Sequence, residues 1–115
     1  MQRFKTHQIG IVQGDEVLFS DFQDDGAMWS GKGPRQSRAA IRFPESFAAA
    51  PQVMVSLSMI DMSRDTNMRM DVQAENIGPA GFEIVFRTWG DSKVARARVA
   101  WQAIGPVSAD DQWDV

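Results

Sequence analysis

At 115 residues with 43% apolar side chains, the chain has the size of one domain that can bury a core without metal or disulfide staples. A formal net charge of -3 creates no field that draws polyanions, which sets aside nucleic acid and acidic membrane surfaces as partners. With no cysteine, thiol catalysis, thiolate metal sites and disulfide chemistry are excluded.

The N-terminal run MQRFKTHQIGIVQGDEV starts basic but lacks an apolar stretch of about 7 to 15 residues with a small-residue cleavage site. No segment approaches the roughly 18 to 20 apolar residues of a membrane-spanning helix. These features predict a soluble protein without membrane insertion, cytoplasmic or released by a non-classical route. HQIGIVQ, EVLFSDF and SRAAIRF are short, β-rich and bounded by Gly, Asp or Pro, so each is expected to form a strand. Between the second and third lies QDDGAMWSGKGPRQ, whose glycines, acids and Pro34 predict a long loop without helix or strand, and loops of that length often carry function.

From residue 51 the apolar residues recur every two positions. In PQVMVSLSMI, Val53, Val55, Leu57 and Met59 share one face, and the alternate residues form a second, partly covered face. In NMRMDVQAEN, Met68, Met70, Val72 and Ala74 alternate with Arg69, Asp71, Gln73 and Glu75, which places Arg69 in mid-strand on the outward face. The turn Gly78-Pro79-Ala80-Gly81 leads into GFEIVFRTW, with Phe82, Ile84 and Phe86 inward and Val85, Arg87 and Trp89 on the face of Arg69. After Gly90, Asp91 and Ser92, the run VARARVAWQAIG puts Ala95, Ala97, Val99, Trp101 and Ala103 opposite Arg96 and Arg98. The last three strands are expected to pair in order as a meander. The acidic tail SADDQWDV is expected to be loosely held, or docked only through Trp113. About six strands predict an all-β, antiparallel two-sheet sandwich.

Catalytic chemistry finds little to build on. His7 is the sole histidine, no serine sits in a G-x-S-x-G setting, and no second histidine is available as a base, so the reading is a non-enzyme. Two acidic stretches, Asp21 with Asp24 and Asp25, and Asp61 with Asp65 and Asn67, have calcium-type oxygens but not the EF-hand spacing, and such residues ordinarily serve turns. GKGPR lacks the glycine and hydroxyl residue of a P-loop. The expectation is therefore no metal and no cofactor. What remains is Trp29 in the long loop, Arg69 in its strand and Trp89 at a strand end. A sugar offers a C–H face to an aromatic platform and hydroxyls to charged groups, yet Trp and Arg are equally at home in oligomer interfaces.

An ordered series of short motifs runs from Phe43 to Gly105. It comprises P-x-V-x-V-S-x-S-x-x-D ending at Asp61, N-x-R at Asn67 and Arg69, PAGF from Pro79, TWGDSKV from Thr88 to Val94, and W-x-A-I from Trp101. In this series the chain resembles the H-type lectin domain, the family of snail agglutinins and slime-mould discoidin C-terminal domains. The resemblance implies a six-stranded antiparallel β-sandwich that oligomerises as a homotrimer or a dimer of trimers. It also implies galactose-type glycans, galactose or N-acetylgalactosamine, bound at protomer boundaries. Arg69 falls on the family's sugar-binding arginine and Trp89 on the tryptophan at the site. The place of an acidic loop residue that reaches the neighbouring protomer's sugar falls near Ser30, Gly31 and Lys32. Two departures stand out: Gly90 replaces a histidine ligand of the animal lectins, and Ala95 replaces an aromatic contact. Asp24, Asp25 and Asp91 are the acids available as substitutes.

Two functional readings follow. In the first, the chain is a lectin whose site uses Arg69, Trp89, Gly90, Asp91, Gly31 and Lys32. In the second, it is a structural or adhesive oligomeric component, such as a fibre or spike, that keeps the fold without an active sugar site. There Arg96 and Arg98 would meet Asp71 or Glu75 at subunit boundaries.

Overall fold

The computed structural model describes residues 1–5 and 8–108. His7 and the tail from residue 109, Trp113 included, lie outside the described residues. In chain order the elements are β1 (Ile9–Ser20), the one-turn α1 (Ala27–Ser30), β2 (Arg35–Arg42), β3 (Gln52–Met62), β4 (Asp71–Glu75), β5 (Gly81–Thr88) and β6 (Val94–Pro106). They form two three-stranded antiparallel sheets, ordered β1-β6-β3 and β2-β5-β4, whose inward faces meet in the core.

Four local expectations change. The two N-terminal strand segments are one continuous strand, because Gly14 sits under the Trp101 indole: a Cβ there would lie 2.8 Å from the ring. Glycine is at this point a packing device inside a strand, not a boundary. The predicted meander is broken, since β4 pairs with β5 but β6 joins the other sheet between β1 and β3. Alternation of period two shows which residues of a strand face inward, but it is the same whether the next strand lies beside it or across the core. The strand around Arg69 begins only at Asp71, so Arg69 stands in the extended approach to β4 and Met68, expected inward, is exposed. Finally, the long loop holds a helical turn. Asp21 accepts a hydrogen bond from the Met28 N–H at 3.0 Å, and Met28 is buried beneath it.

The core has two parts. At one end Phe43, Phe47, Phe82 and Trp101 pack as an aromatic cluster, with Phe82 and Trp101 edge to face at 5.4 Å. At the other, under α1, lies a smaller cluster of Met28, Phe86, Val94 and Ala97. Inward positions of β4 contribute Val72 and Ala74, while Met70 joins the second cluster from just before that strand.

The two outward faces differ in kind. On β2-β5-β4, Arg38 pairs with Glu75 and Glu83, and Arg87 with Glu75 at 2.8 Å. Hydrogen bonds from Arg87, and secondarily the charges of Arg87 and Arg38, hold the Glu75 carboxyl below its ordinary value. Asn76 and then Arg38 do the same for Glu83. Val85, flanked by Arg38 and Gln73 in register, is fully buried among these charges. On β1-β6-β3 the outward face instead exposes Ile9, Ile11, Val17 and Met54. The second face of β3, expected to be partly covered, is open to solvent.

Candidate functional site

The turn from β5 to β6 is built by two small buried hydroxyls. Thr88 and Ser92, only 1% and 0% exposed, flank the outward Trp89-Gly90-Asp91. Ser92 Oγ accepts a hydrogen bond from the Arg69 N–H at 2.9 Å and donates to the Asn67 carbonyl at 2.6 Å. Thr88 Oγ1 donates to the Arg69 carbonyl at 2.5 Å. Both main-chain groups of Arg69 are thus satisfied by side chains, which explains why no ladder forms there and why the residue is held firmly without a strand.

The guanidinium of Arg69 is oriented by Asp91, with Nη1 donating to Oδ1 at 3.1 Å. Asn67 donates to the same carboxylate through its side-chain amide, at 3.2 Å to Oδ1, and through its backbone N–H, at 3.5 Å to Oδ2. The Asn67 side-chain hydrogen bond, followed by backbone N–H groups and the Arg69 charge, keeps Asp91 below the ordinary carboxylate value of 3.8. Asp91 therefore acts as the group that aims Arg69. Among the described residues the remaining guanidinium N–H groups make no hydrogen bond.

Gly90 adopts φ +67°, and a Cβ at this position would lie 3.4 Å from Arg69 Nη1. Its carbonyl accepts from the Gly33 N–H at 2.9 Å and from Arg35 Nη2 at 3.2 Å. Arg35 also donates to the carbonyls of Gly33, Ala27 and Met28, so one guanidinium ties the helical turn to the Gly90 turn. Trp89 projects outward, 43% exposed, on the wall of a groove of about 390 Å³ that is also lined by Pro34, Gln36 and Arg87. Arg69, Gly90 and Asp91 thus form one constellation next to Trp89. Gly31 and Lys32 lie in the segment that joins Gly90 through Gly33, but Gly31 turns inward, its N–H on the Ala27 carbonyl, and Lys32 is an exposed cation. Ala95 is buried and lines a separate cleft on the far side of α1.

Sequence reasoning missed the three residues that hold this arrangement, Thr88, Ser92 and Arg35. A usable signal was present: Thr and Ser bracket an exposed Trp-Gly-Asp, the pattern of small hydroxyls that bond backbone at turns. Arg96 and Arg98, expected to meet Asp71 or Glu75 at subunit boundaries, have other partners within the chain: Arg96 binds Asp61 at 3.1 Å, Arg98 donates to Ser58, and Glu75 is taken by Arg38 and Arg87. Asp21 is engaged by the Met28 N–H and Asp61 by Arg96, which gives both acids structural partners.

Residues 38–104 match the family model described as the H-type lectin domain. A protein of Fuscovulum blasticum described as "ATP synthase subunits region ORF 7" is 54% identical over 107 residues, 93% of either chain. A discoidin-1 polypeptide of Dictyostelium discoideum is 36% identical over 81 residues, 70% of this chain, and this chain spans only 32% of the discoidin. Wild-type discoidin II of the same organism superimposes with a TM-score of 0.75 at 23% identity, over 90% of this chain and 39% of the other, a likeness of fold. Arg69 and Trp89 fall inside the matched range, while Gly31 and Lys32 precede it.

Proposed function

This chain belongs to the H-type lectin domain family, and we propose that it is a lectin for galactose-type glycans, galactose or N-acetylgalactosamine. Arg69 is the hydroxyl-binding group and Trp89 the apolar platform. The observation that carries this reading is the aimed guanidinium: Asp91, Asn67 and Ser92 fix Arg69 against the Gly90 turn that follows the exposed Trp89, and among the described residues its other N–H groups make no hydrogen bond. Charge-assisted hydrogen bonds to paired hydroxyls, together with C–H contact on an aromatic ring, are the interactions a pyranose requires. No reaction is assigned to the site.

The reading includes self-association as a homotrimer or dimer of trimers, with the segment around Gly31 and Lys32 of one copy completing a neighbour's site. Its support is the outward face of β1-β6-β3, where Ile9, Ile11, Val17 and Met54 are exposed beside the Arg96–Asp61 pair. Clustering of weak sites would raise avidity by a factor on the order of 10² to 10⁴.

A second reading, a structural or adhesive oligomer without an active sugar site, has Gly90 in its favour, because that position offers no side-chain donor. A glycan array run with the full chain, Arg69→Ala and Trp89→Ala, paired with sedimentation velocity, separates the two. The lectin reading expects galactose-type signals that both variants lose. Binding unchanged in both variants refutes the assigned site, and a trimer that binds no glycan leaves the structural reading.

A further inference from the structure

The end of the sandwich that carries Arg69 also carries a second concavity, where the ends of β1 and β3 and the start of β6 meet α1. It measures about 400 Å³, within the range of small-molecule sites, and is walled by Ser20, Phe22, Gln23, Trp29, Asp61 and Arg96. We propose that this cleft is a second saccharide-binding site, independent of Arg69 and Trp89.

Its apolar wall is exposed yet fixed. Phe22 is 57% exposed and stands edge to face with Trp29, ring centroids 5.0 Å apart. The segment under them is anchored by the N–H groups of Asp21 and Phe22 on the Ala95 carbonyl, by Asp21 on Met28, and by Arg35 on the carbonyls of α1. An aromatic surface held ready in this way loses little conformational freedom when it is covered.

The polar wall supplies a donor and an acceptor side by side. Arg96 uses Nε and Nη2 on a single oxygen, Asp61 Oδ2, at 3.3 and 3.1 Å. Among the described residues Asp61 Oδ1 and Arg96 Nη1 make no hydrogen bond, and two adjacent hydroxyls, one donating and one accepting, match them. Charge selects among ligand classes. A cation would compete with Lys93, whose Nζ already lies 4.8 Å from the Trp29 ring centroid, and would meet Arg96. An anion would meet Asp61. A neutral polyhydroxyl ring with one C–H face satisfies both walls.

The test is a set of proton–nitrogen NMR titrations of the full chain with methyl β-galactoside, methyl α-mannoside and lactose at millimolar concentration, in three proteins. In the wild type, signals of residues 22, 23, 29, 61 and 96 shift as one group and those of 67–69 and 89–92 as another. In the Arg69→Ala/Trp89→Ala protein the first group still shifts with its affinity within about twofold of wild type. In Phe22→Ala, a change at an exposed ring, the first group weakens by about tenfold or more while the second is retained. Shifts confined to the second group overturn the second site and leave the lectin reading standing, whereas absence of both groups overturns both. Loss of the first group in the Arg69→Ala/Trp89→Ala protein also overturns it, because that cleft would then only report on its neighbour. So does a Phe22→Ala protein that sediments as a smaller species with no saccharide shifts at the cleft in the wild type, which would make this wall a contact between copies. An unchanged Trp101 indole signal verifies folding in each variant.

Discussion

The two ends of the sandwich are held by different physics. At the closed end, Phe43, Phe47, Phe82 and Trp101 exclude water by area, and any side chain of similar shape would serve. At the open end, under α1 and the Gly90 turn, the buried residues are smaller, and order comes from hydroxyls and guanidinium groups that bond backbone at a distance: Ser92, Thr88 and Arg35. Burial is non-directional and tolerates small shifts, whereas a hydrogen bond loses strength within a few tenths of an ångström. The end that must present Arg69 at one angle is built from the directional interaction.

Substitutions can break this contrast in order of severity. Phe82→Ala should cost about 3–5 kcal/mol in urea unfolding, the usual penalty for emptying a packed aromatic site, yet leave glycan affinity per folded molecule unchanged. Ser92→Ala should cost less, about 1–3 kcal/mol, because it strands the Arg69 N–H and the Asn67 carbonyl. Unlike Phe82→Ala, it should also abolish the glycan signal. Gly90→Ala forces a Cβ into left-handed backbone, at roughly 1–2 kcal/mol, and sets it in van der Waals contact with Arg69 Nη1. Its thermal midpoint and its affinity should fall together. Arg69→Ala should shift stability by no more than about 1 kcal/mol, since its pair with Asp91 is solvent-exposed, yet abolish glycan binding as fully as Ser92→Ala does. An Arg69→Ala protein with intact binding and reduced stability would invert the comparison.

Acid sharpens it further. Because the folded Asp91 carboxyl titrates below its ordinary 3.8, the contribution of its hydrogen bonds is complete above that value and disappears as pH falls through the lowered one. Glycan binding should therefore be level across neutral and mildly acidic pH and decline only below 3.8, in step with the Asp91 carboxyl resonance. A midpoint at or above 3.8 for that resonance would show that Asn67 and Arg69 do not hold the carboxylate.

Much of the strand content was legible, for a simple reason: Val53 to Met59, Phe82 to Phe86 and Ala95 to Ala103 alternate with period two, and alternation is a property of consecutive residues. The boundary drawn at Gly14 was not sound, because the reason for that glycine is the indole of Trp101, 87 positions away. The helical turn at Ala27–Ser30 escaped notice because its N-cap is Gly26, without a side chain, and the carboxylate that holds it, Asp21, lies seven residues from the N–H it binds.

For the site, the sequence by itself determined the residue types and their order: a Trp-Gly-Asp turn, an arginine upstream and an outward direction for both. Only the tertiary structure decided that β6 crosses to the other sheet, that Arg69 lies outside any strand, and that Asp91 aims the arginine instead of waiting for a ligand. The physical reason is separation along the chain. Alternation and turn chemistry act between near neighbours, whereas the contacts that orient Arg69 span 19 to 23 residues and exist only once the sheets have packed.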